Sequence, residues 1–469
     1  MQELTFQMNV DSKIPLYRQL YNALITEIKN GNLQEGEKLP GKKSFATHLG
    51  ISQSTVETAY EMLSAEGYVV AKPRSGFYVN RLEFLENVNE SSVLPEFKAW
   101  DKQKVAELDY KYSLLSGNID TTVFPYGTWA KITKDVVYNE RNILAYGDGH
   151  GDFQLRLSLA KYLHAFRGVK CTPEQVIIGA GLEYLLPLVC RITGEKTVFA
   201  LEDPGYRKTA EIIGNSGGNM EFIAVDDGGM SIYALEKSAA NVAYITPSHQ
   251  FPTGVVMPVG RRLQILNWAY QEADRYIIED DYDSEFRYIG SPIPALQGLD
   301  KMGKVIYVGT FSRSIAPAFR VAYMVLPENL LEKYDELFSY YASTVSRLDQ
   351  NILNEFIAGG HFSRHLNKVR NAYRGRRDAL VTALKKSPLA DKIEIIGDNA
   401  GLHFLLQIEC GLLESELVEK ASQMGICLNG LKDYCYEKVY EKPTVILGFA
   451  DLMKEDADEV VELLCKAWL

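Results

Sequence analysis

The chain has 469 residues, 46% of them hydrophobic and 24% charged, with a formal net charge of -11, an ordinary balance for a globular protein of roughly three domain-sized units. No stretch approaches the length of about 18 uncharged apolar residues that a membrane span needs, and the N-terminus shows no basic-then-apolar leader, so the sequence predicts a cytoplasmic protein with no membrane partner. Six cysteines, at 171, 190, 410, 427, 435 and 465, form no C-x-x-C pair and have no histidine at zinc spacing, which argues against a metal site or a disulfide framework.

Residues 1 to 80 hold eight Lys/Arg and eight Asp/Glu, so all the acid excess lies beyond them. Two short basic clusters, Lys42-Lys43 and Lys72-x-Arg74, are free to meet phosphates while the acidic remainder is kept away. Leu16, Leu20, Leu24 and Ile28 recur every four residues before Gly31, which predicts an amphipathic helix over 14–30. A second short helix carries Phe45, Ala46 and Leu49 and closes at Gly50. After a three-residue turn a third begins at Ser52 as N-cap and buries Val56, Ala59, Tyr60 and Leu63. Its first turn, Ser52, Gln53, Ser54 and Thr55, is polar and outward, as in a helix that enters the major groove. Two β-rich runs from Gly67 and Gly76, joined through Lys72 and Arg74, predict a hairpin wing.

The words and their order resemble the GntR family of bacterial regulators: Leu16-Tyr-x-Gln-Leu, Gly31-x-Leu, Leu39-Pro, Leu49-Gly-Ile-Ser, Ser54-Thr-Val-x-x-Ala-Tyr and Glu66-Gly-Tyr. The resemblance implies a winged helix-turn-helix domain over 1–80 that binds double-stranded operator DNA through Lys42, Lys43, Ser52, Gln53, Ser54, Thr55, Lys72 and Arg74. Two departures stand out. Gly41-Lys-Lys43 replaces the family's Ser-x-Arg, and Gln53 replaces an arginine. Glutamine suits adenine where arginine favours guanine, so the operator preference is expected to differ from that of arginine-bearing relatives.

Residues 81–108 are polar and aperiodic and read as a linker. From 109 to 469 helical stretches alternate with β runs starting at Gln175, Thr197, Val242, Tyr276 and Val305, which predicts an α/β domain with a mostly parallel sheet. Along it lie four stations. Ala180, Gly181 and Leu182 offer bare amides at a helix start, where a phosphate can be bound. Tyr206 offers a ring to stack on a flat heterocycle. Asp280 can pair with a protonated pyridine nitrogen, and Tyr282, two residues on, with a phenolic oxygen. Thr310, Ser312 and Arg320 suit a phosphate dianion. His249, between these stations, is the residue of its turn expected to face the ring.

This order resembles the fold-type I enzymes that use pyridoxal phosphate, and over nearly the whole chain the aminotransferase-like domain of the MocR subfamily of GntR regulators, its GABA-responsive members most closely. Tyr146-Gly-Asp-x-x-Gly, Leu155-Arg156, Phe124-Pro125 with Trp129, Asn399-Ala-Gly-Leu-His403 and Gly448-Phe-Ala-Asp-Leu carry the likeness further. The resemblance implies a homodimer and a small-molecule effector, with Lys432 or Asp433 where those regulators grip an acid through an arginine; a GABA-like acid is thereby disfavoured, and an acidic side chain there turns the expectation toward an amine-bearing metabolite. It also places Arg313 where the family has its cofactor lysine. A guanidinium cannot lose its proton near neutrality and cannot supply the amine of a Schiff base, so catalytic residues are expected to be none and pyridoxal phosphate at most non-covalent. Three functions remain open: a ligand-sensing regulator, a transaminase with a fused DNA-binding domain, and a DNA-binding protein whose large domain only dimerises. Three roles remain open for Arg313: a contact to non-covalent pyridoxal phosphate, a contact to a different anion, and a salt bridge to Asp280 that fills the site.

Overall fold

The computed structural model describes residues 4, 6, 8, 9, 12, 14–73, 75–81, 110–139, 141–288, 293–438 and 440–469. The chain divides into two compact units, Met1–Val105 and Ala106–Leu469. Apart from Arg81, the expected linker 81–108 lies outside the described residues, as does Arg74 of the wing.

The first unit holds α1 (Leu16–Lys29), α2 (Lys42–Leu49), α3 (Gln53–Ala65), β1 (Val69–Lys72) and β2 (Gly76–Val79). Leu20, Leu24 and Ile28, spaced by four, form the buried stripe of α1, and they pack with Phe45, Val56, Ala59, Tyr60 and Leu63 in one core. Gly50 ends α2 with a left-handed φ of 64°, which a residue without Cβ adopts at no steric cost. The Ser52 hydroxyl then accepts the Thr55 backbone N–H at 3.1 Å and caps α3. Antiparallel β1 and β2 set Val69 opposite Val79 and Lys72 opposite Gly76.

The second unit is built on strands β3 (Tyr112–Ser113), β4 (Val176–Gly179), β5 (Val198–Asp203), β6 (Asn219–Asp226), β7 (Gly229–Met230), β8 (Val242–Ile245), β9 (Tyr276–Asp281), β10 (Val305–Thr310) and β11 (Ala322–Val325). Among the described residues eight of these form one sheet in the order β4-β11-β10-β9-β8-β5-β6-β7. The run from β10 to β6 is parallel, while β11 is antiparallel to both β10 and β4. Five expected β runs appear as β4, β5, β8, β9 and β10.

Helices cover both faces, as a parallel sheet requires. α4 (Tyr126–Asn139), α5 (Phe153–Arg167) and α11 (Arg347–Ala358) lie on one side, with Leu155, Leu159 and Phe356 packed against Ile178, Tyr307 and Tyr323. α6 (Leu182–Thr193), α7 (Arg207–Asn215) and α10 (Glu328–Phe338) bury Leu185, Ile213 and Leu330 against Ile278, Ile306 and Val308. α8 (Ile232–Lys237) and α9 (Val259–Tyr270) add Leu235, Ile265 and Trp268 over Ala243 and Ile277. A second, antiparallel sheet, absent from the sequence expectation, comprises β12 (Ile393–Ile396), β13 (His403–Ile408), β16 (Thr444–Gly448) and β15 (Asn429–Gly430). Short β14 (Ile426–Cys427) pairs with β3. α12 (His361–Lys386), α13 (Glu414–Gln423) and α14 (Ala457–Trp468) pack on this sheet through Tyr373, Leu380, Leu417, Val460 and Leu464.

No helix among the described residues is long and apolar enough to cross a membrane.

Candidate ligand cavity and DNA-contact surface

In the first unit the exposed start of α3 carries Ser52, Gln53 and Ser54, with Thr55 half-buried behind them. The three hydroxyls are tied together: Ser52 Oγ lies 2.8 Å from Ser54 Oγ and 2.7 Å from Thr55 Oγ1. The Gln53 amide makes no hydrogen bond to the described residues and projects from the same turn. Lys43 is exposed. Lys42 instead turns back onto its own unit, pairing with Glu57 and standing 5.3 Å from the Phe77 ring. Lys72 stands 4.5 Å over the Tyr78 ring on the wing. Lys43 and Gln53 are therefore the side chains of this set least engaged within the unit.

In the second unit the parallel strands end on one side, and the loops after β4, β5, β8, β9 and β10 converge there, where open α/β sheets bind ligands. A cavity of about 250 Å³ lies among them, lined by Gly181, Leu182, Tyr206, Asp280, Tyr282, Thr310, Ser312, Arg313 and Arg320, and also by Glu183, Lys208 and Phe251. Nine residues singled out from sequence thus meet around one volume.

Asp280, the last but one residue of β9, lines the cavity. Surrounding protein pushes its carboxyl up to about 7 by desolvation, opposed by the Tyr244 hydroxyl that donates to it. A cationic ring N–H would restore the carboxylate. Thr310 Oγ1 donates to Ser312 Oγ at 3.0 Å and accepts the Ser312 N–H at 3.1 Å, so the loop after β10 is folded onto its own hydroxyls. Arg313 donates through Nη1 to the Ser116 carbonyl at 2.6 Å. Among the described residues it forms no ion pair, and the salt bridge to Asp280 considered from sequence is not formed. Asp280 has Tyr244 as its partner instead.

At the opposite end, Gly181 has φ 90°, and a Cβ there would come within 2.4 Å of Arg320 Nη2; only glycine lets the backbone approach this closely. Arg320 itself has φ 50°, the single positive φ found for a non-glycine among the described residues. Such a conformation costs free energy and marks a constrained position. Its guanidinium and the Lys208 ammonium both hold the Glu183 carboxylate. The chain's own acid therefore occupies Arg320, the cation expected to hold a phosphate, together with Lys208. Removing it as Glu183→Gln is expected to tighten inorganic phosphate binding by about 1 kcal/mol, or roughly fivefold; unchanged affinity by calorimetry would contradict this competition.

Four expectations are not met by the geometry. His249 does not face the cavity: it is buried behind Tyr282, with Nδ1 at 3.0 Å from the Tyr282 hydroxyl and 2.9 Å from Asp283 Oδ2, because the turn after β8 folds back under β9. Ala180 does not line it either, its N–H being taken by Thr344 Oγ1 at 3.0 Å. Lys432 and Asp433 are exposed and outside the lining. Asp433 Oδ2 accepts the Gly430 N–H at 3.2 Å, so the turn at 432–434 directs Tyr434, not these charges, onto Phe251, with ring centroids 5.0 Å apart.

Sequence reasoning missed Glu183, Lys208 and Tyr244. Lys208 did carry a signal: a basic residue in the first turn of α7 runs against the helix dipole. Glu183 carried none, since an acid in the first turn is what the dipole favours. Among the described residues no cluster suited to a metal ion is found.

Residues 112–430 match the family described as aminotransferase class I and II, and residues 16–79 that of bacterial regulatory proteins, gntR family. The chain is 40% identical over 470 residues to the HTH-type transcriptional regulator YdeL of Bacillus subtilis (strain 168), covering 99% of each. It is 31% identical to the probable rhizopine catabolism regulatory protein MocR of Rhizobium meliloti, over 98% of this chain and 95% of that one. Among solved structures it is similar to a multiple substrate aminotransferase from Thermococcus profundus, with TM-score 0.69 and 27% identity over 80% of this chain and 95% of that chain. Two regulators matched over nearly their whole length, together with this chain's own matches to a gntR family and an aminotransferase family, leave a single conclusion: the chain belongs to the GntR family of bacterial transcriptional regulators, in its MocR-type branch.

Proposed function

We propose that this regulator senses a small phosphorylated heterocycle in the cavity of its aminotransferase-like unit and does so without turnover. The observation that carries the reading is the position of Arg313, whose guanidinium opens into the same cavity as Asp280, Tyr282, Thr310, Ser312 and Arg320. The lining residues suit each part of a pyridoxal-type phosphate. Asp280 would meet the ring nitrogen, Tyr282 the phenolic oxygen and Tyr206 a ring face; Gly181, Thr310, Ser312 and Arg320 would meet the phosphate. When bound in an enzyme, pyridoxal phosphate supplies an electron sink through a lysine imine. An arginine at 313 withholds the amine and the base that transamination needs. Lys208 also lines the cavity, where its side chain is engaged in an ion pair with Glu183.

The domain limits that accompany this reading are a DNA-binding domain over 1–80, a linker over 81–108 and a sensor domain over 109–469, in a cytoplasmic protein. The direct test is an absorbance spectrum of purified protein before and after adding pyridoxal phosphate. A shifted but borohydride-insensitive spectrum supports the reading; no change at all would leave the large unit as a dimerisation platform.

The sensor is proposed to be a homodimer. Leu144, Tyr146 and Tyr340 are 92%, 99% and 97% exposed, and they belong to neighbouring segments, since Arg347 Nη1 donates to the Asn142 and Ala145 carbonyls. Aromatic and aliphatic side chains this exposed in adjacent loops mark an association surface, and a C2 pair presents two recognition helices to two half-sites. Light scattering at micromolar concentration is expected to give twice the chain mass; the mass of one chain would refute the dimer.

A further inference from the structure

Three cations line the cavity, and two of them, Arg320 and Lys208, share the Glu183 carboxylate as ion-pair partner. Arg313 does not. Its Nη1 is anchored to the Ser116 carbonyl, and its remaining N–H groups make no hydrogen bond to the described residues. The titratable neighbours whose charge it feels do not balance it: burial keeps His403 neutral, lowering it to about 3, and holds the Tyr282 hydroxyl well above its usual range. Of the nearby acids, Asp280 has Tyr244, Glu183 has its two cations, and Asp283 is buried against His249. A guanidinium stays charged at every relevant pH, so this corner of the cavity carries a permanent positive charge that meets no carboxylate in an ion pair among the described residues.

We propose that Arg313 makes the cavity charge-selective among planar heterocyclic phosphates, admitting those whose ring substituent beside it is anionic or an uncharged acceptor and rejecting those that carry an ammonium. The inference rests on the reading that the cavity holds a pyridoxal-type phosphate, and it adds which charge of the ring substituent the protein reads. Asp280 serves the ring nitrogen and the Gly181 end serves the phosphate, and neither distinguishes an alcohol, a carboxylate or an amine elsewhere on the ring. The discrimination therefore falls to residue 313. A like charge brought beside an unpaired guanidinium in a cleft of low effective dielectric is repelled, and a carboxylate gains a charge-assisted hydrogen bond.

The test is calorimetric titration of the full chain with three probes: 4-pyridoxic acid 5′-phosphate, pyridoxine 5′-phosphate and pyridoxamine 5′-phosphate. The carboxylate probe is expected to bind about tenfold or more tighter than the amine probe, with the alcohol between them. In Arg313→Gln the gap between carboxylate and amine is expected to shrink to about threefold or less, with the alcohol probe changed only a few-fold. Equal affinities in the wild type, an amine preference, or a gap that survives in Arg313→Gln would overturn charge selection alone. Failure of all three probes to bind the wild type would overturn it together with the reading it rests on.

Discussion

Arg313→Lys protein mixed with pyridoxal phosphate is expected to turn yellow and, after borohydride, to keep about one label per chain on residue 313, where the wild type keeps none. The expectation follows from what the cavity already has. The loop after β10 presents residue 313 to the same cavity as Tyr282 and Asp280, and Gly181 and Arg320, also in its lining, are the residues proposed above to meet a phosphate. What is withheld is nucleophilicity: a lysine can reach the neutral amine form when desolvated, and a guanidinium cannot. Peptide mapping of the reduced protein decides the matter. A label on residue 313 in the variant, with an unlabelled wild type, is the expected pair of results. A trapped label on Lys208 of the wild type would mean that this second cavity amine escapes Glu183 and has taken over, and the non-enzymatic reading would be wrong.

On DNA, Lys43→Ala and Gln53→Ala are expected to fail in different ways. Lys43 is exposed at the start of α2, where pairing with a phosphate adds affinity without reading bases. Its removal is expected to weaken specific and random DNA alike and to make the salt slope shallower by about one unit for each phosphate no longer neutralised. Gln53 projects from the first turn of α3 beside hydroxyls that are occupied with capping. A bidentate glutamine–adenine contact is worth about 1–3 kcal/mol of discrimination, so Gln53→Ala is expected to flatten preference at one position per half-site by roughly 5- to 150-fold. Binding measured across a randomised operator library at two or more salt concentrations separates the two. Parallel losses for both variants on every sequence would contradict this division.

Much of the fold was legible because its signals are local. The stripe of Leu20, Leu24 and Ile28, the cap at Ser52 and the closing Gly50 each specify structure within one or two turns, and all appear as expected. The β runs before Ala180, before Asp280 and before Thr310 are dense enough in Val and Ile to be read without partners. The strand Ala322–Val325 was not legible: it inserts antiparallel between β4 and β10, and nothing in four apolar residues specifies two distant neighbours. The same holds for β13, whose partners β12 and β16 come from either side of it in sequence. Of the site, residues whose chemistry is unusual at their place in the chain were found: an arginine where a lysine is expected, an aspartate near the end of an apolar strand. Glu183 was missed because an acid opening a helix is ordinary. His249 was misplaced because the turn after β8 chooses between facing the cavity and facing Asp283 through packing, and packing is not written in the turn itself.

The pairing of Glu183 with Arg320 and Lys208 bears on how such a sensor is set. Any anion entering that end of the cavity exchanges with a resident counter-ion instead of meeting bare cations, so its net gain is the difference between two ion pairs. A small anion with nothing else to offer gains little from the exchange. A ligand that also engages Asp280 and Tyr282 recovers the loss through its ring. The internal carboxylate thereby raises the threshold for every anion alike, and contacts beyond that end of the cavity decide which ligand overcomes it.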